Sequence, residues 1–191
     1  MKTEEIIAEA LKVLKDGGTI LYPTDTVWGL GCDATNPDAV KKIYDIKHRA
    51  DSKSLVLLAC DLDMIARYVK KIPDIAIDLV QVNDKPMTLI YPGADTGLLA
   101  GNVVAEDGSV GIRIPLNDFC VQLVRRLHRP LVSTSANISG EPTAKTYTEI
   151  PEEIRSAVDY IVDPALEASS TGIASQIIKV ELDGQVKIIR P

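Results

Sequence analysis

The chain has 191 residues, of which 46% are hydrophobic and 25% charged, with 12 Gly and 11 Pro. That composition excludes a disordered chain, a collagen-like repeat and a disulfide miniprotein. At about 150 residues per domain the length predicts one domain over residues 1–191. Lys plus Arg number 21 against 27 Asp plus Glu, a formal net charge of −6, so bulk charge does not draw this chain to nucleic acid.

Cys32, Cys60 and Cys120 are an odd number, lie far apart and form no CxxC pair, and only His48 and His128 accompany them. No zinc site of Cys/His spacing follows, and the thiols read as small buried hydrophobes of a reduced, cytoplasmic chain. The N-terminal MKTEEIIAEALKVLKDGG lacks the layout of a signal peptide, and no apolar run reaches the roughly 18 residues of a membrane helix.

In chain order, Ile6, Ile7, Ala10, Leu11 and Leu14 recur at helical spacing up to Gly17-Gly18. The run TILYP is a short strand stopped by Pro23. Asn36-Pro37 caps and opens a helix through Ile46. Residues 54–59 read as a buried strand, Asp61 caps a helix MIARYVKK, and Pro73 opens another, DIAIDLVQV. Strands follow at 87–91 and 110–114. Asn117 caps the helix DFCVQLVRRL, and Pro130 leads into the strand LVSTS. The polar stretch NISGEPTAKTY, 137–147, reads as an active-site loop. A helix near 152–158 and the strand YIV precede SQIIKVEL, a turn at Asp183-Gly184 and VKIIR, a hairpin. Helices and strands interleave, but the last strands follow one another directly. The expected fold is α/β, a twisted mixed sheet with flanking helices.

The chain has no GxxxxGK[ST] loop, complete dinucleotide fingerprint, HExxH or GxSxG, and neither histidine adjoins a plausible nucleophile. Three polar clusters remain. Thr24-Asp25-Thr26 follows an apolar strand, where the side chains either line a pocket or cap a turn. Lys47 and Arg49, two apart, would converge on one oxyanion if the segment were extended; a solvated basic helix end is the alternative. Ser133, Ser135 and Asn137 fall on one side of an extended chain at a strand's carboxyl end, where α/β ligand crevices lie; an ordinary Ser/Thr turn would use the same residues. Arg113, inside the apolar VGIRIP, needs a carboxylate from the protein or a ligand. Together the clusters describe a cationic, hydroxyl-rich pocket without a histidine base, suited to binding anions by positioning and electrostatics.

The order of these segments resembles the YrdC-like family, the threonylcarbamoyl-AMP synthases, over nearly the whole chain. Its most specific part is the Lys-x-Arg and Ser-x-Asn set, here Lys47, Arg49, Ser135 and Asn137. The resemblance implies a large concave cationic cavity. It implies a reaction of L-threonine, bicarbonate or CO₂ and ATP, with Mg²⁺, to threonylcarbamoyl-AMP and pyrophosphate. A downstream transferase complex would pass the group to tRNA. By matching positions, Lys47, Arg49, Ser135 and Asn137 would act on ATP with Ser109, Thr143 and Arg190, and Thr24, Arg113, Ser133 and Ser170 would hold threonine. No metal ligand is assigned, and weak or no direct RNA binding is expected. Departures from the family pattern fall at Trp28, Ala50, Ser54, the 83–88 run and Ala174, where an acid usually follows Ser-Thr-Val-Val. Two alternatives use the same fold: a non-catalytic module binding structured RNA through residues 41–53 and 125–129, and a carbamoyl-transfer domain of a larger maturation protein.

Overall fold

The computed structural model describes residues 2–49 and 55–191. Helix α1 (Thr3–Lys15) buries Ile6, Ile7, Ala10 and Leu14, the stripe its 3.6-residue period dictates. It packs on α5 (Asp118–Leu127), whose Asn117 side chain accepts the Cys120 N–H as an N-cap. Helix α2 (Pro37–Ile46) is capped by Asn36 and α3 (Leu62–Tyr68) by Asp61. Helix α4 is Asp74–Val82 and α6 is Glu152–Ala157.

The mixed pairing expected from the sequence is present, with the strands divided between two sheets. The smaller has the order β7 (Thr134–Ser135), β2 (Trp28–Gly31), β1 (Ile20–Pro23), β8 (Tyr160–Ile161), with only the β1–β8 pair parallel. The larger has the order β10 (Val186–Arg190), β9 (Gln176–Val180), β4 (Met87–Tyr91), β5 (Val110–Arg113), β3 (Val56–Leu58), β6 (Leu131–Val132). In it β4–β9 and β3–β5 are parallel and the rest antiparallel. The LVSTS segment expected as one strand serves both sheets. Leu131 and Val132 pair with β3, Thr134 and Ser135 with β2, and between them the Ser133 N–H donates to Val56 O at 2.8 Å.

Strand β2 is where the sequence reading saw only a polar strand end leading to a turn. Its glycines admit the Tyr22 ring: a Cβ on Gly31 would come within 2.6 Å of Tyr22 Cε1 and 2.7 Å of Val132 O. The Tyr22 hydroxyl donates to Val132 O at 3.1 Å, tying the two sheets at the crossover. Short 3₁₀ turns at Gly101–Val103, Tyr147–Glu149 and Pro164–Ser169 were not anticipated, although Asp163-Pro164 caps and opens the last of them. All three cysteines are free and buried, and burial pushes the Cys120 thiol up to about 12, as expected for packing residues. The departures at Ala50 and Ser54, and the first residue of the expected 54–59 strand, lie outside the described residues.

Candidate active site

A strand's side chains alternate between faces, so one face of the larger sheet supplies residues two apart from each strand. Ser109, Gly111 and Arg113 come from β5 and its approach, Thr88 and Ile90 from β4, and Ser175, Ile177 and Lys179 from β9 and its approach. With Val56 and Arg190 they floor a cavity of about 710 Å³. Register sets them in rows: Val56, Gly111, Ile90 and Lys179 in one, and Arg113, Thr88, Ile177 and Arg190 in the next. At Gly111 a Cβ would meet its neighbours at 3.5 Å or more, so glycine is not forced there by packing. Its lack of a side chain deepens the floor.

The walls come from the turn between β1 and β2 (Thr24, Thr26, Val27 and Trp28), from the sheet crossover (Ser133 to Ser135), and from Arg49, Thr143 and residues 105–107. Of the side chains anticipated from sequence, Thr24, Arg49, Ser109, Arg113, Ser133, Ser135, Thr143 and Arg190 share this one space. Arg49, Arg113, Lys179 and Arg190 face it against two carboxylates, Glu106 and Asp107.

Arg113, only 3% exposed, finds its carboxylate within the protein, with Nη1 2.5 Å from Asp25 Oδ1. Asp25 Oδ2 accepts the Leu116 N–H at 3.1 Å, so the pair is anchored at both ends. Thr24 takes both roles foreseen for it. Its hydroxyl accepts the Thr26 N–H at 3.1 Å and donates to Val27 O at 2.7 Å, while the residue lines the cavity. Arg190 donates from Nε to Ser175 O at 2.8 Å.

Three anticipated residues stand elsewhere. Lys47 is not in an extended segment with Arg49 but ends α2, with His48 left-handed at φ 50°. The His48 N–H reaches Asp45 O and the Arg49 N–H reaches Tyr44 O, the two bonds of a Schellman ending. That turn sends the chain toward Arg49 at the cavity wall and leaves Lys47 buried. Its ammonium donates to Ser135 O at 2.5 Å and Asn137 O at 2.7 Å. Burial, with Arg49 nearby, lowers its pKa to about 8. Asn137 also turns away, because β7 ends at Ser135. Its Nδ2 donates to Ile138 O and Glu141 O at 3.0 and 2.9 Å, holding the loop that carries Thr143. Ser170 donates to Thr24 O behind the wall.

Sequence reasoning missed Ser175, Thr88 and the Lys179–Asp107 pair. Ser175 Oγ lies 2.8 Å from Thr88 Oγ1 on the floor. Trp28, fully buried beneath the wall, donates its indole N–H to Glu167, which also accepts the Tyr147 N–H at 2.6 Å. On the surface, Arg126 pairs with Glu4 at 2.7 Å and Arg129 with Asp33 at 2.6 Å, so part of the basic 125–129 segment is neutralised locally.

Residues 12–191 match the Sua5/YciO/YrdC family, described as "Telomere recombination". The chain is a Sua5/YciO/YrdC-family protein. Among curated members, a threonylcarbamoyl-AMP synthase of Stenotrophomonas maltophilia is 33% identical over 168 residues, covering 84% of this chain and 87% of that one. One of Pseudomonas aeruginosa is 33% identical over 183 residues, covering 95% of each. Among solved structures of the family, P. abyssi Sua5 complexed with L-threonine superposes with a TM-score of 0.84 at 25% identity. It covers 94% of this chain, which spans 52% of that Sua5 chain.

Proposed function

We propose that this Sua5/YciO/YrdC-family protein is a threonylcarbamoyl-AMP synthase that serves threonylcarbamoyladenosine modification of tRNA. The observation that carries this is the cavity, where Arg113, Thr24 and Ser133 share one space with Arg49 and Ser135. Relatives that are 33% identical carry that synthase name.

In this reaction the threonine nitrogen and bicarbonate form a carbamate and water. A carbamate oxygen then attacks the α-phosphorus of ATP, the bond to the β-phosphate oxygen breaks, and pyrophosphate leaves. The products are threonylcarbamoyl-AMP and pyrophosphate. The protein supplies charge and alignment, the terms that dominate phosphoryl chemistry. Mg²⁺ belongs to the substrate, travelling with the ATP phosphates.

Arg113 holds the threonine carboxylate with the guanidinium edge not spent on Asp25, and Thr24 and Ser133 give hydroxyls to the same ligand. Ser175, on the floor, takes the role the resemblance gave to Ser170, whose hydroxyl is bound behind the wall. Arg49, Ser135, Thr143, Ser109 and Arg190 contact the nucleotide. Lys47 acts behind Ser135, fixing the backbone of the strand end, and Asn137 fixes the loop bearing Thr143. The product passes to a downstream transferase complex that modifies tRNA, with little direct RNA contact by this chain. Among the described residues no helix is long and apolar enough to cross a membrane. We place the activity in the cytoplasm, where ATP and reduced thiols coexist.

The test is to incubate the protein with MgATP, bicarbonate and L-threonine and examine the products by mass spectrometry. Threonylcarbamoyl-AMP is expected. Its absence with a folded protein overturns the proposal.

A further inference from the structure

At the end of the floor row that starts at Val56, Lys179 projects into the cavity from β9. Its Nζ lies 2.7 Å from Asp107 Oδ2, and the Lys179 and Asp107 side chains are 29% and 52% exposed. Asp107 is anchored from its other side, since Oδ1 accepts both the Ser109 hydroxyl at 2.5 Å and the Ser109 N–H at 3.0 Å. The Lys179 ammonium, and after it the Ser109 hydroxyl and N–H, hold its carboxyl well below the usual carboxylate range.

Glu181 Oε1 lies 3.9 Å from the same ammonium and, with Asp107, favours its charged form, but two features keep the pair loose. Register sets Lys187 of β10 directly opposite Lys179, and like charges facing each other across two strands repel. Arg190, three residues on, lines the same cavity opposite Ile177. An ion pair this exposed is also weak, because water competes for both partners. A polyanion entering the cavity would offer Lys179 a denser negative charge than Asp107 does, and would screen it from Lys187.

We infer that Lys179 is a polyphosphate-binding residue of the synthase, parked on Asp107 in the free protein and transferred to the pyrophosphate end of the nucleotide when ATP binds. The inference rests on the synthase reading. Asp107 is then a parking partner that competes with the ligand, and it keeps its grip on Ser109 throughout.

Calorimetric titration of ATP, pyrophosphate and AMP into the wild type, Lys179→Met, Lys179→Arg and Asp107→Asn tests this, with melting curves as the folding control. Lys179→Met should weaken ATP and pyrophosphate by roughly tenfold, the loss of one charge-assisted contact, and leave AMP within twofold. Lys179→Arg should keep most of the affinity. Asp107→Asn should bind pyrophosphate as tightly as the wild type or tighter. Unchanged ATP and pyrophosphate binding in Lys179→Met overturns the inference. So does an equal loss for AMP, or a loss in Asp107→Asn matching that of Lys179→Met, since either makes the pair structural. If the wild type itself binds no ATP, the synthase reading fails first.

Discussion

Removing Asp25 isolates a buried guanidinium, and the cost can be worked from the structure. The Arg113 and Asp25 side chains are 3% and 7% exposed, and the carboxylate also holds the Leu116 N–H. Breaking a buried ion pair from one side costs about 3–5 kcal/mol, because the remaining charge keeps its desolvation penalty and loses its partner. At about 2–4 °C per kcal/mol for a protein of this size, Asp25→Asn should melt roughly 6–20 °C below the wild type. Urea denaturation measures the free energy, and a fall below about 1 kcal/mol would refute the reasoning. Replacing both partners, as Asp25→Asn with Arg113→Met, should cost less than the sum of the single changes. Arg113 also lines the cavity. An entering carboxylate can therefore replace Asp25, and saturating L-threonine should raise the melting point of Asp25→Asn more than that of the wild type.

Other expectations are independent of that pair. The folded pKa of Lys47, about 8, lies below its ordinary 10.5. The unfolded chain therefore binds that proton more tightly between those values, and this group's contribution to stability grows as pH rises through that window. Turnover needs the ammonium, so kcat/KM should fall above about pH 8 in the wild type and not in Lys47→Arg; identical profiles would remove Lys47 from the mechanism. Lys47→Ala should lose at least about tenfold in turnover, since it removes the charge-assisted contacts that hold Ser135 O and Asn137 O. Trp28 is the sole tryptophan, is fully buried and borders the cavity. Glu167→Ala should leave its indole N–H unpaired, cost about 1–3 kcal/mol and alter the tryptophan emission; an unchanged spectrum contradicts the Glu167 contact. His48→Gly should be neutral or stabilising by up to about 1 kcal/mol, since glycine takes the left-handed ending of α2 without strain. A loss of more than that in a melting curve would show that the exposed contact with Glu153 matters more than the strain.

What the sequence made legible was local. Asn36, Asp61 and Asn117 cap helices through bonds to residues two or three positions on, so the chemistry sits inside one short window. Strand β2 was hidden because Gly29 and Gly31 have little strand propensity; what makes it a strand is the Tyr22 ring and the pairing with residues 134–135. The division into two sheets turns on Ser133 meeting Val56, a contact no window contains. Lys47 and Arg49 were singled out with an extended segment and a helix end both open, since histidine at the left-handed position hides the helix ending that glycine would announce. Ser175 carried a readable signal. It stands at the approach to β9 and alternates with Ile177 and Lys179, the period-2 pattern of one sheet face. The Lys179–Asp107 pair spans 72 residues and has no local signature.

Pyrophosphate release from MgATP and bicarbonate, with and without L-threonine, tests the central claim most directly. Release should depend on threonine and fall at least about tenfold in Arg113→Ala at low threonine, recovering as threonine is raised. Threonine-independent release, or none from a protein that melts cooperatively, would contradict a synthase built on this cavity.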